Sequence, residues 1–513
     1  MKRSSMGFWW FYFLVKFYLH FKGSLHLDFL WNIAFLIFLK ISLPEKFREK
    51  RFPRILKHAL SGIWAVLLLW HESWFPPIPD FLKFLWREDL PEANYIFRFL
   101  AGFFDPVGIA VMISILVLCL VIQRYITLTP VVVLLLLGVP IGDYGQAHGD
   151  PEDFLSSFYR SEADRRIDFG KRGGTDPDFD IILLHVCSLS WDDLRKTGLE
   201  KDPFLQSFDI LFTRFNSATS YSNPSAIRLL RANCGQSRHE DLYRQVSGDC
   251  YLMDSLRADG YQTYSLFNHD GKYGHFGEEL KSLGHLDPPV SVADLPVRRI
   301  SFEGSPIYDD YAALAAGWNF RQERGSPRAA FYYNTITLHD GSHRSDDPEW
   351  WKRDRGGDYR ASVEKLFADM TRFFELLAAS DRNALVVFIP EHGMALEGDP
   401  LQAPGLREIP LPRIALVPVG IKWIGKKDGG EVFQHQEISK PTSYLAVSSL
   451  FSALLRTPSS ELPGATFQRI VATVPGTEFV AENDKVRVVN KEGAYFLENR
   501  ASGVRWIKIS AGN

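Results

Sequence analysis

The stretch Asp180-Ile-Ile-Leu-Leu-His-Val-Cys-Ser-Leu-Ser190 is a short apolar run that turns polar at its end. A near-continuous hydrophobic segment of this length describes a strand buried on both faces, its C-terminal end opening onto a site. Similar runs recur downstream. Tyr261–Phe267 ends in Asn268-His269-Asp270-Gly271, Ala329–Thr337 in Leu338-His339-Asp340-Gly341, and Ala384–Ile389 in Pro390-Glu391-His392-Gly393. A further run, Arg413–Val419, follows a proline-rich turn. Between them lie helical patterns. Ala361–Ala379 places Val363, Leu366, Phe367, Met370, Phe373, Phe374 and Leu377 at helical spacing, and Tyr444–Leu455 is another. Strands alternating with helices predict a mainly parallel α/β sheet with helices on both faces.

Open α/β sheets bind ligands outside the carboxyl ends of their strands. Here those ends carry Cys187, Asn268, His269, Asp270, His339, Asp340, Glu391 and His392. A thiolate, a carboxylate and an imidazole are ligand types that zinc prefers. No C-x-x-C pair is present, which argues against a zinc-finger type of structural site. Cys187, Glu391 and His392 as three ligands of one Zn²⁺ would leave a fourth position open, the pattern of a catalytic site.

Ala218–Arg231, A-T-S-Y-S-N-P-S-A-I-R-L-L-R, reads as the start of a helix. Pro224 suits the first helical position and Asn223 the N-cap. Such a mouth attracts anions through unpaired N–H groups and the helix dipole, and Ser222 sits at its lip. A Ser222 hydroxyl reaching the open metal position would have its pKa lowered, without a separate base. His339 is then placed to stabilise phosphoryl oxygens or to protonate a leaving group. Tyr221 and Arg407 are further substrate contacts, Arg because its planar fork matches phosphate. The residues alone support phosphoryl-type chemistry. They leave open a hydrolase, a transferase with lipid A or another glycan as acceptor, and a scaffold role in a secretion complex.

The first part of the chain differs in character. Val107–Ile122 is apolar apart from Ser114, and Ile126–Ile141 follows at once. Leu25–Leu43, Ala59–Trp70 and the aromatic Phe8–Phe21 are shorter or weaker. With about 20 apolar residues needed per span, interfacial Trp, Tyr and Lys must extend the outer ones. The expected count is five membrane spans, with four as the alternative. The loop Pro44–His58 contains Lys46, Arg48, Lys50, Arg51, Arg54 and Lys57, and Lys2 and Arg3 begin the chain. The loop Phe75–Leu100 is mixed: Asp80, Glu88, Asp89 and Glu92 against Lys83, Arg87 and Arg98. The positive-inside rule places the N-terminus in the cytoplasm, and five spans put everything after Gly142 outside.

Domain expectations follow: residues 1–142 a transmembrane domain, 143–178 a linker or juxtamembrane segment, 179–460 the zinc-dependent catalytic domain. Residues 461–513 form a short-strand extension, with strands expected at Phe467–Val474, Lys485–Val489 and Trp506–Ile509. A net charge of −3 over 513 residues gives no sign of nucleic-acid binding. Of four cysteines, Cys119 lies in an expected span. Cys234 and Cys250 close a short polar loop and can form a disulfide in an oxidising compartment, which leaves Cys187 unpaired.

Taken in order, H-V-C-S-L-S-W-D-D-L, A-T-S-Y-S-N-P-S-A-I-R-L-L-R, F-N-H-D-G, Y-N-T-I-T-L-H-D-G and I-P-E-H-G-M-A-L make the chain resemble the cellulose-biosynthesis phosphoethanolamine transferase family. The resemblance covers almost the whole chain and is weakest in the C-terminal tail. It implies an alkaline-phosphatase-like domain in the periplasm of a Gram-negative bacterium, anchored in the inner membrane by several spans. It implies one Zn²⁺ held by Cys187, Glu391, His392 and the nucleophile Ser222, with Tyr221, His339 and Arg407 contacting substrate. It also implies a Cys234–Cys250 disulfide. The implied reaction moves phosphoethanolamine from phosphatidylethanolamine to glucose 6-hydroxyls of nascent cellulose, with diacylglycerol the first product. Subunits of a cellulose synthase complex are the implied partners.

Overall fold

A computed structural model describes residues 8–42, 44, 50–75, 78–79, 82, 91–102, 106–144, 151–169, 179–425, 435–457, 465–500 and 504–510. At its centre is an eight-stranded sheet. Its strands run in the order Gln436–Ile438, Ile210–Asn216, Leu416–Ile424, Asn383–Pro390, Phe179–Val186, Ala329–Thr335, Gln262–Phe267, Pro289–Val290. All neighbours pair in parallel except Leu416–Ile424, which is antiparallel to both of its partners. The mainly parallel sheet expected from the apolar runs is therefore present, with one reversed strand inside it.

Alternation along Phe179–Val186 explains why the whole strand is buried. Ile181 and Leu183 face one core with Ala226, Ile227, Leu229 and Leu230 of the helix Ser222–Leu230. Ile182, Leu184 and Val186 face the other, with all seven apolar residues expected on the helix Arg355–Ala378. Helices cover both faces, so neither face reaches water. Cys187 and Glu391 directly follow two adjacent strands of this sheet, Phe179–Val186 and Asn383–Pro390.

Several boundaries differ from the expectation. The expected strand Phe467–Val474 is instead the helix Ala465–Thr473. Phe467, Ile470, Val471 and Val474 stand at i, i+3, i+4 and i+7, a helical period that outweighs their β-branched character. The other two tail strands are found, as Val486–Lys491 and Val504–Ile509, in a four-stranded antiparallel sheet. The run Arg413–Val419 splits: Pro412–Ala415 makes one helical turn and the strand begins at Leu416. Part of the stretch read as a linker is the helix Pro151–Ala163, whose Leu155, Phe158 and Tyr159 pack on Val480, Val489 and Phe496 of the tail sheet.

In the N-terminal part, helices Trp9–Phe21, Phe29–Lys40, Arg51–Glu72, Pro106–Ile122 and Thr129–Tyr144 stand where spans were expected. Among the described residues only Arg51–Glu72 is long and apolar enough, on length and composition, to cross a membrane. The loop Phe75–Leu100 contributes a helix, Ala93–Ala101, which its mixed charge did not signal. Lys2, Arg3, Lys46, Arg48, Asp80, Lys83, Arg87, Glu88 and Asp89, used above to orient the chain, lie outside the described residues, as do 145–150 and 170–178.

Cys234 and Cys250 form a disulfide across a separation of 16 residues. Closing a loop of that size removes unfolded-state entropy worth about 3 kcal/mol. Replacing both by alanine should therefore lower the unfolding free energy by about 3 kcal/mol, read as a drop of several degrees in unfolding temperature. An unchanged melting curve would contradict this.

Candidate active site

Two strand ends and a helix mouth meet. Cys187 follows Phe179–Val186, Glu391 and His392 follow Asn383–Pro390, and the helix Ser222–Leu230 begins opposite them. Ser222 Oγ lies 3.5 Å from Cys187 Sγ and 3.3 Å from His392 Nε2. Cys187 Sγ is 3.9 Å from His392 Nε2, which is 3.8 Å from Glu391 Oε2. One ligand atom each from Cys187, Glu391 and His392 fall within 4.8 Å of one another, and all three residues are buried. Backbone geometry tightens here: Ser188 and Ala218, on either side of the cluster, adopt left-handed conformations at φ 64° and 61°, the kind of stored strain that collects at functional sites.

The helix mouth is not capped as expected. The N-cap is Tyr221, and the helix starts at Ser222. Pro224 thus takes the third helical position, where a missing N–H is equally harmless because the first four have no partner in the helix. Asn223 does not cap. Its side-chain amide donates to the Gly274 carbonyl at 2.9 Å and to Glu279 at 2.7 Å. This shift of two residues brings Ser222 itself into the first turn, at the positive end of the dipole.

A relay of hydrogen bonds orients Glu391. The Gly271 N–H donates to His269 Nδ1 at 3.1 Å, so His269 carries its proton on Nε2. Burial lowers the His269 pKa and keeps the ring neutral. Nε2–H then donates to Asn334 Oδ1 at 2.9 Å, which turns the Asn334 amide so that Nδ2 donates to Glu391 Oε1 at 2.6 Å. The second carboxylate oxygen, Oε2, is buried and has no hydrogen-bond partner among the described residues. It faces His392 Nε2. The Gly393 carbonyl accepts from His392 Nδ1–H at 2.9 Å, which leaves the Nε2 lone pair facing Ser222 Oγ at 3.3 Å and Arg407 Nη1 at 3.5 Å.

Burial dominates the electrostatics. It pushes the Cys187 thiol up to about 12, with Glu391 adding to the effect. It raises Glu391, and it drives His392 well below its ordinary value, aided by Arg407. A carboxylate, a thiol and an imidazole are thus gathered where each resists its charge, and a cation among them would reverse that resistance. Arg407 supplies one positive charge. Its Nη1 donates to Ser188 Oγ at 3.2 Å and lies 3.1 Å from His392 Nδ1.

Other expected residues take distinct places. Tyr221 donates its hydroxyl to Glu408 at 2.7 Å. His339 stacks on Phe302, with centroids 4.7 Å apart, and its Nδ1 lies 2.8 Å from the Asp340 carbonyl. Burial and then Arg407 lower the His339 pKa to about 4, so the ring is neutral near pH 7. Asp340 binds Arg355. Asp270 accepts from the Lys272 N–H at 3.1 Å, a turn contact. Asn268 locks the strand end before His339, donating to Thr335 and Thr337 at 2.8 and 2.9 Å and accepting from the Ile336 N–H at 3.1 Å.

Two contributors went unrecognised in the sequence. Asn334 sits inside an otherwise apolar strand, an interior polar residue that its neighbours Tyr333 and Thr335 disguise. Asn483, from the tail sheet, donates to Ser220 Oγ at 2.6 Å and to the Arg407 and Glu408 carbonyls at 3.1 and 2.9 Å. It ties the Ser222 segment to the Arg407 loop. Nothing near Asn483 in the chain signals that reach.

Asp310 anchors the Asn268 network, accepting from Tyr333 and Thr337 at 2.7 and 2.6 Å. Burial raises its pKa from the ordinary 3.8 to about 6. Between those values the folded chain binds more protons than the unfolded one, so stability falls as pH rises through that window. The Asp310→Asn variant should lack this part of the decline when unfolding temperatures are followed across that pH range. A variant with the wild-type slope would contradict the assignment.

Comparison with known proteins adds sequence relatives across both parts of the chain. The family profile described as cellulose biosynthesis protein BcsG C-terminal domain matches residues 144–506, and that of the BcsG N-terminal domain matches residues 9–141. Cellulose biosynthesis protein BcsG of Escherichia coli is 32% identical over 549 residues, covering 97% of this chain and 95% of that protein. The protein of the same name from Salmonella typhimurium matches at the same identity and coverage. Among solved structures, the integral membrane lipooligosaccharide phosphoethanolamine transferase A (EptA) of Neisseria meningitidis is similar at TM-score 0.44 and 12% identity, over 90% of this chain and 98% of that one.

Proposed function

Because the chain belongs to the BcsG family of cellulose biosynthesis proteins, we propose that it is a membrane-anchored, zinc-dependent phosphoethanolamine transferase of the alkaline-phosphatase type. The donor is phosphatidylethanolamine, and the acceptor is the glucose 6-hydroxyl of cellulose. The observation that carries the reading is the orphaned Glu391 Oε2, buried beside His392 Nε2, Cys187 Sγ and Ser222 Oγ. A carboxylate oxygen left unpaired in the interior is costly, and a divalent cation is the partner this donor set fits. Cys187, Glu391, His392 and Ser222 would hold one Zn²⁺, and when bound it lowers the pKa of the Ser222 hydroxyl.

Ser222 Oγ attacks the phosphorus of the lipid, and the bond from phosphorus to the glyceryl oxygen breaks. Diacylglycerol leaves carrying the proton that the Ser222 hydroxyl gives up. The helix mouth and Arg407 hold the phosphoryl oxygens as charge develops on them. In the second step the glucose 6-hydroxyl attacks the phosphorus of the serine–phosphoethanolamine diester, its proton passes through His339 to Ser222 Oγ, and the Ser222 Oγ–phosphorus bond breaks. His339 suits the proton transfers as a neutral imidazole: its Nδ1–H points to the Asp340 carbonyl, so Nε2 is the acceptor. This favours His339 as the base toward the acceptor sugar over a role as a charged clamp on phosphate.

A lipid donor accounts for a hydrophilic catalytic part tethered to apolar helices. The proposed topology has five inner-membrane spans, a cytoplasmic N-terminus and a periplasmic catalytic domain, and subunits of the cellulose synthase complex are the proposed partners. The disulfide is compatible with that oxidising compartment. The domain limits proposed from the sequence stand alongside: 1–142, 143–178, 179–460 and 461–513.

Incubating the purified chain with phosphatidylethanolamine should leave a phosphoethanolamine adduct on the Ser222 peptide, read by mass spectrometry. Cello-oligosaccharide should hasten its decay, and Ser222→Ala should lower turnover by about 10³-fold or more. An unmodified Ser222 in zinc-loaded protein would overturn the covalent route, and a decay rate indifferent to the sugar would overturn the glucan acceptor.

A further inference from the structure

The helix Ala93–Ala101 lies in the connection between apolar helices of the N-terminal part, yet it docks on the loop that carries His339. The Glu92 N–H donates to the Phe302 carbonyl at 2.8 Å. The Tyr95 hydroxyl donates to Asp340 Oδ2 at 3.3 Å, and its ring lies 5.5 Å from that of Phe302. Phe302 in turn stacks flat on His339, with an interplanar angle of 16°, and takes the edge of Tyr273 at 4.8 Å. Further along, the Arg98 guanidinium lies 5.4 Å from the Trp350 ring, and Phe97 packs on Trp351 at 5.7 Å.

Gly341 records how close this approach is. A Cβ there would come within 2.4 Å of the Tyr95 ring and 2.8 Å of Phe302, and its φ of +79° already favours glycine. Asp340 is held from two sides, by Tyr95 and by Arg355. The backbone carbonyl of the same Asp340 receives His339 Nδ1. Tyr95 therefore touches both supports of the imidazole: the aromatic plate beneath its face and the residue that fixes its tautomer. A general base acts only if its nitrogen is in register with the reacting hydroxyl.

We propose that the helix Ala93–Ala101 completes the catalytic site, with Tyr95 a positioning residue that holds His339 through Phe302 and Asp340. This rests on the reading of His339 given above. Its consequence is that the apolar part of the chain does more than tether the catalytic part. It supplies a wall of the site, so transfer depends on the two parts being docked.

The test uses the full chain in lipid nanodiscs, with phosphatidylethanolamine as donor and cello-oligosaccharide as acceptor. Tyr95→Ala should lower kcat at least tenfold, toward the ~10²-fold loss that a misplacement of about 1 Å produces. KM for the donor should stay within about twofold, because the phosphate-holding groups are untouched. Tyr95→Phe keeps the ring against Phe302 and Gly341 and should recover kcat to within about threefold of wild type. Zinc content should be equal in all three proteins. A Tyr95→Ala chain with wild-type kcat, a loss confined to KM, or a Tyr95→Phe chain as slow as the alanine variant would overturn the proposal, while a Ser222 adduct on the wild type left the transferase reading intact. A wild-type chain that formed no adduct would overturn that reading, and this proposal with it.

Discussion

The Glu391 carboxylate has one oxygen satisfied by Asn334 and one without a partner among the described residues, and it is fully buried. An ionised carboxylate in that state costs on the order of several kcal/mol. The rest of the centre is arranged around this debt. His269 sets the Asn334 amide, the Gly393 carbonyl frees His392 Nε2, and the Cys187 thiol is sealed in with them. Three groups that each resist charge in isolation make sense together if one cation satisfies all of them.

The site is assembled from distant parts of the chain. Ser222 enters on a helix, Glu391 and His392 on a loop after a central strand, and Arg407 on the excursion toward the reversed strand. Asn483 clamps the Ser222 segment to the Arg407 loop from the tail sheet, and Tyr95 reaches the His339 loop from the N-terminal part. The tail sheet and the helix Ala93–Ala101 therefore both contact loops that carry residues of the centre.

Five of the eight central strands were legible from their apolar runs, four of which lead into a residue with chemistry: Cys187, Asn268, His339 and Glu391; Ile210–Asn216, Pro289–Val290 and Gln436–Ile438 were not expected. The helix Arg355–Ala378 was legible from its period. The segment Phe467–Val474, expected as a strand, is helical because its apolar residues fall at helical spacing. The helix start at Ser222 was misplaced by two residues because Asn-Pro is a strong cap signal locally, whereas Asn223 is recruited by Gly274 and Glu279 instead. Asn334, Asn483 and Tyr95 were not legible at all. Each acts through a contact far away in the chain, and nothing in a residue's neighbours encodes such a partner.

The central claim is that Cys187, Glu391, His392 and Ser222 surround one zinc ion. X-ray absorption at the zinc edge of the purified full-length chain tests it directly. The account predicts one equivalent of zinc in four-coordinate geometry, with a single sulfur near 2.3 Å and nitrogen or oxygen ligands at about 2.0–2.2 Å, the sulfur contribution vanishing in Cys187→Ser. A chain without bound zinc, or zinc with no sulfur in its shell, would contradict it.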